Sequence, residues 1–258
     1  MSILLTLDQS YTDGGVSHDF ETLFDSPIPI PEKWEIALQR CDTWYSFFNI
    51  SAEKGNNTFK YTNDSAVERS VTIPDGVYSL SQLQAYLHYV MRQNSDYTTD
   101  GDGNPVYSIY IQANYSTLKS EITISDGYEL NIAATESRLY ELLGFEATSV
   151  SSALTDGTHI SDGLADVTDG LNSMQIHVSL VSESYMGSSG SDVIFSFIPT
   201  VSPGSPITIE PRQKVYLPIR SNDGYIRNVR CHLTDQQGRV LDLNGEKLTV
   251  SLHLRKIK

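Results

Sequence analysis

The 258-residue sequence predicts an all-β fold, an antiparallel β-sandwich with two short helices in connections of its N-terminal half. Three observations lead to this prediction. Fifteen Tyr against two Trp, with abundant Thr, Ser, Val and Ile, favour pleated sheet over helix. Short segments of alternating apolar and polar residues follow one another, bounded by Gly, Pro, Asn or Asp. Only two segments have helical spacing, so the helices are expected to be accessories of the sheets.

The first 32 residues are predicted to be an N-terminal arm. Pro27, Pro29 and Pro31 alternate with isoleucines, and alternate prolines cannot join the centre of a β-ladder. Residues 33–258 are expected to form one sandwich domain. A chain of this length can bury a large core without disulfides.

Strands and both helices are predicted in the next part of the chain. The expected strands are 34–40, 44–50, 58–62, 69–73, 106–113, 121–124 and 128–132. Ser79 and Gln82 have the spacing of a capping box, and apolar residues recur every three or four positions after them. A second helix is expected from about 136 to 143. Gly144 supplies its left-handed cap, and Phe145 can fold back on Leu139 or Tyr140.

Residues 146–172 are rich in Ser, Thr, Asp and Gly and are predicted to form a long surface loop. Further strands are expected at 174–180, 193–198, 207–210, 215–219 and 225–233. A terminal hairpin, 240–243 with 247–255, is predicted around Asn244-Gly245, because this dipeptide supplies positive φ twice. In its last strand Leu252 is expected to face the core and His253 to face away.

The charge of −14 is unevenly distributed. Residues 1–208 contain 8 Lys or Arg against 27 Asp or Glu, whereas residues 209–258 contain 10 against 5. An acidic body argues against sequence-independent nucleic-acid binding, and the cations are interpreted as solvated strand positions. No apolar stretch is long enough to span a bilayer, and the N-terminus does not resemble a signal peptide. Cys41 and Cys231 are expected to be buried reduced thiols.

Motifs for catalysis or metal binding were sought and none was assigned. The segment from Asp100 to Asn104 begins like a calcium loop, but Pro105 and Ile111 occupy positions that require Gly and Glu. The Gly-Ser-Ser-Gly segment at 187–190 misses the nucleophile elbow by one residue.

The six histidines lack the local pairs typical of metal sites and of metal-dependent cupins. We therefore predict no catalytic, cofactor-binding or metal-binding residue and no enzyme. His177, His232 and His253 fall in expected strands, whereas the other three lie elsewhere: His18, His88 and His159.

Several segments together resemble the minor capsid (penton) proteins of Polinton/Maverick elements and related adintoviruses. The resemblance rests on their order and spacing from about residue 30 onward, and no single segment is specific. The segments are Gly76–Leu83 with Tyr86-Leu87, Leu142–Phe145, Ile194–Phe197 with Pro203-Gly204, Leu217–Ile219, Leu233–Arg239, Asn244–Glu246 and Leu252–Arg255.

The resemblance implies a jelly-roll sandwich that assembles as a homopentamer at the fivefold vertices of an icosahedral virion. The implied partners are further copies of the chain and a major capsid protein with a double jelly-roll fold. Neither a membrane nor direct sequence-specific nucleic-acid contact is expected. The subunit would be made in the host cell cytoplasm or nucleus and not secreted. The family has no catalytic residues to carry over.

Two other functions are open at this point. One is a glycan- or receptor-binding β-sandwich, in which Tyr97, Tyr107, Tyr110 or Tyr115 would stack on sugar faces. The other is a hydrolase with a carboxylate pair that no sequence spacing specifies.

Overall fold

The chain folds into two compact units, each with a hydrophobic core of its own. The computed structural model describes residues 1–8, 15–16, 19–31, 33–166, 171, 173–186, 189–221 and 223–257. The sandwich unit consists of Met1–Phe47 and Leu171–Lys258, and the inserted unit is Phe48–Gly170. The expectation of one domain from residue 33 is therefore wrong, because the apolar residues of the insertion pack mainly on one another.

The elements follow one another in this order. The sandwich unit begins with β1 (Ser2–Asp8), β2 (Gly15–Val16), β3 (Asp19–Pro29) and β4 (Trp34–Trp44). The inserted unit contains β5 (Thr58–Thr62), β6 (Glu68–Thr72), α1 (Leu80–Gln93), β7 (Thr98–Thr99), β8 (Pro105–Val106), β9 (Ile109–Asn114), β10 (Lys119–Ile124), β11 (Glu129–Asn131), α2 (Leu139–Leu142) and β12 (Gly157–Ile160). The sandwich unit resumes with β13 (Met174–Val178), β14 (Ser184–Met186), β15 (Ser189–Ser191), β16 (Val193–Phe197), β17 (Pro206–Ile209), β18 (Leu217–Pro218), β19 (Tyr225–Asp235) and β20 (Thr249–Lys256).

The sandwich unit has the strand order of a jelly roll. One sheet runs β1-β20-β4-β17, with β18 also on β4, and the other runs β16-β13-β19-β3-β2. The main strands β1, β3, β4, β13, β16, β17, β19 and β20 can be numbered one to eight along the chain. The sheets then read 1-8-3-6 and 5-4-7-2, which is jelly-roll topology. The predicted all-β sandwich is confirmed, and the inserted unit interrupts the connection between the third and fourth strands.

The core of this unit lies between the two sheets, and β20 shows how the alternation fills it. Val250, Leu252 and Leu254 are fully buried, whereas Ser251 and His253 are partly exposed. Successive strand side chains point to opposite faces. The predicted facing of Leu252 and His253 is therefore confirmed.

The N-terminal segment is not an arm. β1 pairs with β20 along its whole length, β3 pairs with β19, and Leu5, Leu7 and Phe20 are buried. The prolines are tolerated because the described part of β2 covers only the start of β3, which leaves the rest of β3 on the sheet edge. The β3–β19 register also shifts between Leu23 and Ile28, around Pro27.

The predicted terminal turn forms, but the predicted hairpin does not. Asn244 and Gly245 have φ of 50° and 85°, and the Glu246 N–H donates to the Leu243 carbonyl at 3.0 Å. Residues 240–243 cannot pair with β20, because β1 and β4 already occupy both of its edges.

In the inserted unit, two three-stranded sheets, β11-β5-β6 and β12-β10-β9, share a core with α1. Ser79 and Gln82 form the predicted capping box. The second helix is shorter than predicted, because Glu136 has a positive φ of 63° and interrupts it. At Gly144, φ is 80° and an added Cβ would lie 2.5 Å from the Leu164 carbonyl oxygen, so glycine is required there.

The surface loop predicted at 146–172 is largely part of this unit. β12 pairs with β10, and Val150 and Leu154 are buried in the core. Asp156 accepts a hydrogen bond from the Gly127 N–H, and Asp162 accepts one from the Glu146 N–H. These contacts attach a polar sequence to a folded scaffold. Residues 167–170 and 172 lie outside the described residues.

The net charge differs between the two units as well as between the two parts of the sequence. The inserted unit contains 6 Lys or Arg against 17 Asp or Glu, a balance of −11, and the sandwich unit contains 12 against 15, a balance of −3. Within the described ranges, no helix is both long and apolar enough to cross a membrane.

Candidate functional sites

Three of the six histidines lie in strands as predicted: His177 in β13, His232 in β19 and His253 in β20. His88 is on α1, where its ring stacks on Tyr107 and its Nε2 is 2.8 Å from the Ile109 carbonyl. His159 was expected outside the strands, but it lies on β12, which pairs with β10. His18 lies outside the described residues.

A polar cluster surrounds the neighbouring strands β13 and β19. His177 and His232 are directly opposite in the register, and their rings stack with centroids 4.3 Å apart. His177 Nδ1 is 2.6 Å from Asp192 Oδ1, and its Nε2 is 2.9 Å from Thr234 Oγ1. The order carboxylate, imidazole, hydroxyl is that of a nucleophilic triad.

This cluster is nevertheless not arranged for catalysis. Thr234 is only 2% exposed, so a substrate cannot reach its hydroxyl. That hydroxyl also donates to the Asp235 carbonyl at 3.0 Å. Both ring nitrogens of His177 are engaged, which leaves no free lone pair for a metal. The cluster is a hydrogen-bond network that links β13, β19 and Asp192.

Electrostatics in the cluster disfavour extra positive charge. Burial lowers the pKa of His232, and the neighbouring His177 lowers it further. Burial alone would raise the pKa of Asp192, but hydrogen bonding to His177 and its charge outweigh this and leave the pKa below its usual value. Protonation of His232 would therefore place a positive charge beside the stacked ring of His177.

The outward face of the β1-β20-β4-β17 sheet carries paired charges. Arg40 contacts Asp42 at 2.6 Å and Glu210 at 3.1 Å, and Thr208 donates to Asp42 at 2.7 Å. These groups are half exposed, where ion pairs stabilise by only about 0–1 kcal/mol each. They give this face a fixed polar pattern.

Several arginines of the C-terminal quarter also have acidic partners. Arg227 pairs with Asp223 at 2.8 Å, Arg230 with Asp19 at 2.6 Å, and Arg255 with Glu35. The Arg255 guanidinium lies 3.4 Å above the Tyr216 ring. This pairing agrees with the interpretation of these cations as ordinary strand positions.

Each unit has a buried carboxylate that is fully occupied by its neighbours. Asp96 accepts hydrogen bonds from the Tyr61 hydroxyl at 2.7 Å and the Asn63 amide at 2.8 Å. Asp235 accepts from the backbone and side chain of Arg239 at 2.9 and 2.6 Å. Both carboxylates therefore stabilise local structure.

The two cysteines are free and buried in the sandwich core. Burial raises the pKa of Cys41 to about 12 and raises that of Cys231 as well. The thiolate is the reactive form, so both thiols are unreactive near neutral pH.

The segment that begins like a calcium loop is the turn between β7 and β8. Asp100 Oδ1 accepts the N–H groups of Asp102 and Asn104 at 3.0 and 2.8 Å. Its carboxylate thus closes the turn. Across the described ranges, no three His, Cys, Asp or Glu side chains are grouped to hold a metal ion.

The inserted unit also has an open groove of about 660 Å³. Its lining comes from the start of α1, from β9, from the turn into β10, and from residues 164–165: Ser79, Leu80, Ser81, Gln84, Ile111, Gln112, Ala113, Asn114, Tyr115, Leu118, Lys119, Leu164 and Ala165. Among the four tyrosines considered for sugar stacking, only Tyr115 is in this lining.

The other three surround His88. Tyr107 stacks on the imidazole, Tyr110 meets it edge-on at 5.0 Å, and Tyr97 lies 6.1 Å from Tyr107. The groove residues Leu118, Leu164, Gln84 and Gln112 were not found from the sequence. Only the fold places residue 164 beside the β9–β10 turn.

No protein-family model matches the chain. No curated protein matches it either. One solved structure to which it is similar is the crystal structure of the selenomethionine-labelled mavirus penton protein. The identity is 10%, the match covers 100% of both chains, and the TM-score is 0.48.

Proposed function

We propose that this chain is a structural capsid subunit, the penton protein that forms homopentamers at the fivefold vertices of an icosahedral virion. The observation that carries the proposal is the strand order of the sandwich unit, 1-8-3-6 facing 5-4-7-2. Jelly rolls serve viral capsids, lectins and cupins. The resemblance of the ordered sequence segments to Polinton, Maverick and adintovirus pentons favours the capsid role among these three.

The charge distribution suggests which unit makes the ring contacts. A cyclic ring is built from two different complementary patches on each subunit. Five inserted units, each with a balance of −11, repel one another, whereas sandwich units at −3 repel far less. Contacts between neighbours are therefore expected to involve the sandwich units.

One end of the sandwich unit offers an apolar surface for such contacts. Connections between strands come together at the end away from Phe47 and Leu171, where the Ile30 N–H donates to the Gly224 carbonyl and the Arg220 N–H donates to the Leu180 carbonyl. Tyr185, Val215 and Tyr225 expose 69%, 62% and 49% of their surface there. Exposed apolar side chains at one end of a unit are candidates for a protein–protein contact.

Native mass spectrometry of the untagged protein, alone and with a double jelly-roll major capsid protein, tests the proposal. We expect five copies, with some monomer where the coat partner is needed to close the ring. Val215→Glu should shift the distribution to monomer by placing a charge in the contact. Val240→Glu is the matched control, because Val240 is also an exposed valine but lies at the opposite end of the unit.

Other outcomes would contradict the proposal. Stable dimers or trimers at every concentration exclude a ring of five. Labelled protein that is incorporated away from the vertices of assembled shells excludes the penton role. Equal effects of the two valine variants would exclude this end of the sandwich as the contact surface.

A further inference from the structure

Large apolar side chains border the groove of the inserted unit, where their exposure to water is unfavourable. Tyr115 is 88% exposed, Leu118 63% and Leu164 61%, and Leu80 and Ile111 lie beneath them. Three such residues around one concave surface differ from scattered exposed apolar residues, which need no explanation. An open groove of about 660 Å³ is within the size range of ligand sites.

The turn that presents Tyr115 is rigid. Asn114 Oδ1 accepts the N–H groups of Ser116 and Thr117 at 3.0 and 3.1 Å, and the Asn114 carbonyl accepts the Leu118 N–H at 2.8 Å. Leu118 has a φ of 59°, which is unfavourable for a side chain of this type. Such strain persists only where neighbouring bonds enforce it, and it concentrates at binding sites. The backbone that carries Tyr115 is therefore held in one conformation beside the groove.

Polar groups line the same groove and have unused hydrogen-bonding capacity. The side-chain amides of Gln84 and Gln112 make no hydrogen bond to any described residue of the chain. The Ser79 and Ser81 hydroxyls also belong to the lining and lie 3.0 Å apart, although the Ser79 hydroxyl already takes part in the capping box with Gln82. Each amide offers both donors and an acceptor, which suits a ligand that carries several hydroxyls.

The charges argue for an uncharged ligand. Lys119 is the one charged side chain among the described lining residues, and its Nζ donates to the Asp162 carbonyl at 3.0 Å. The surrounding unit has a balance of −11, which repels sulfated or sialylated sugars, nucleic acid and anionic lipid. Among the described residues of the lining there is no carboxylate to attract a cationic ligand.

We propose that this groove is a binding site for neutral carbohydrate. A pyranose ring has an apolar C–H face that can stack on Tyr115, and its hydroxyl edge can reach the amides of Gln84 and Gln112. The apolar floor then excludes water from the stacked face. The proposal goes beyond the capsid role and does not require it, because every residue involved belongs to the inserted unit.

An array of neutral glycans, followed by calorimetry with the best free oligosaccharide, tests the proposal on the full-length protein. Tyr115→Ala should weaken binding by about tenfold or more, because it removes the stacking surface. Tyr115→Phe should retain affinity within about threefold, since the ring remains. Tyr89→Ala is the control, an exposed tyrosine of the same unit outside the groove, and should bind like the wild type.

The result is separable from the capsid proposal. Tyr115→Ala should have an unchanged circular dichroism spectrum and an unchanged number of copies in native mass spectrometry. Binding that Tyr115→Ala leaves intact, or that Tyr89→Ala reduces equally, overturns the proposal. So does the absence of binding to any neutral glycan at millimolar concentration, or binding confined to anionic glycans or to apolar peptides.

Discussion

The N-terminal strand provides the sharpest test of the fold. Leu4 and Leu7 lie on opposite faces of β1, so one chemical change can be made at an exposed site and at a buried site of one strand. Leu4 is 63% exposed and Leu7 is 2% exposed. We expect Leu7→Ala to destabilise the sandwich unit strongly and Leu4→Ala to leave it nearly unchanged.

The magnitudes follow from burial. A leucine truncated to alanine in a core loses about 2–5 kcal/mol of stability, partly through the cavity that remains. β1 is at a sheet edge, where neighbours can relax into the space, so we expect about 3 kcal/mol at Leu7. At Leu4 the loss should be below about 0.5 kcal/mol. With a urea dependence of about 2 kcal/mol per molar, the midpoints shift by about 1.5 M and by less than about 0.25 M.

Tryptophan fluorescence can report on the sandwich unit alone. The chain has two tryptophans, Trp34 and Trp44, and both are in β4. Their emission follows the unit that contains β1 even if the inserted unit unfolds separately. Calorimetry of the whole protein would mix two transitions.

Two outcomes for these variants would contradict the structure of β1. Equal and small effects at both positions would mean that residues 1–8 are an arm after all. A large effect at Leu4 and a small one at Leu7 would mean that the strand is shifted by one residue, which exchanges its two faces.

Leu252→Asp should abolish folding of the sandwich unit, because it buries a carboxylate without a partner, whereas His253→Asp should cost far less; similar yields of folded protein for both variants would contradict the register. Wild-type stability should fall as the pH drops below about 6.5, the unfolded-state pKa of histidine, because the folded-state pKa of His232 is depressed and the unfolded chain takes up the proton first. His232→Gln should reduce that loss between pH 7.5 and 5.0 in urea titrations, and an unchanged pH profile would contradict the role of the ring stack. Binding to duplex DNA at physiological salt should be weak, because the protein is acidic and most of the C-terminal arginines described above are ion-paired; tight binding that weakens steeply with added salt in fluorescence anisotropy would contradict this.

Local signals were reliable where neighbouring residues alone decide the conformation. Ser79 and Gln82 form the predicted box, Asn244-Gly245 adopts the predicted positive φ pair, and β5 has the predicted bounds. The box and the turn depend on hydrogen bonds or steric limits within a few residues, and β5 pairs with β6, the next strand along the chain. Interactions of such short range can be predicted from the sequence of the segment itself.

Partner choice was less predictable. The proline-rich segment forms part of β3, because a strand at a sheet edge needs hydrogen-bond partners on one side only. The segment predicted as a polar loop contains β12, which pairs with the edge of β10 that β9 does not occupy. Residues 240–243 do not pair with β20 as expected, because β1 and β4 pair with its two edges. In each case the outcome depends on which edges remain free after distant segments have paired.

The candidate binding groove illustrates the same limit. Tyr115 could be noted from the sequence as an aromatic residue, but nothing near it indicated Leu164, which is 49 positions further along the chain. The sequence by itself determined that the protein is a β-sandwich, which face of β20 is buried, and where its main helix begins, because these depend on alternation and short-range hydrogen bonding. Only the tertiary structure decided that β1 and β3 complete a jelly roll, that residues 48–170 form a separate unit, and that an exposed tyrosine borders a groove. These features arise from contacts between segments far apart in the chain, whose free energy no local pattern contains.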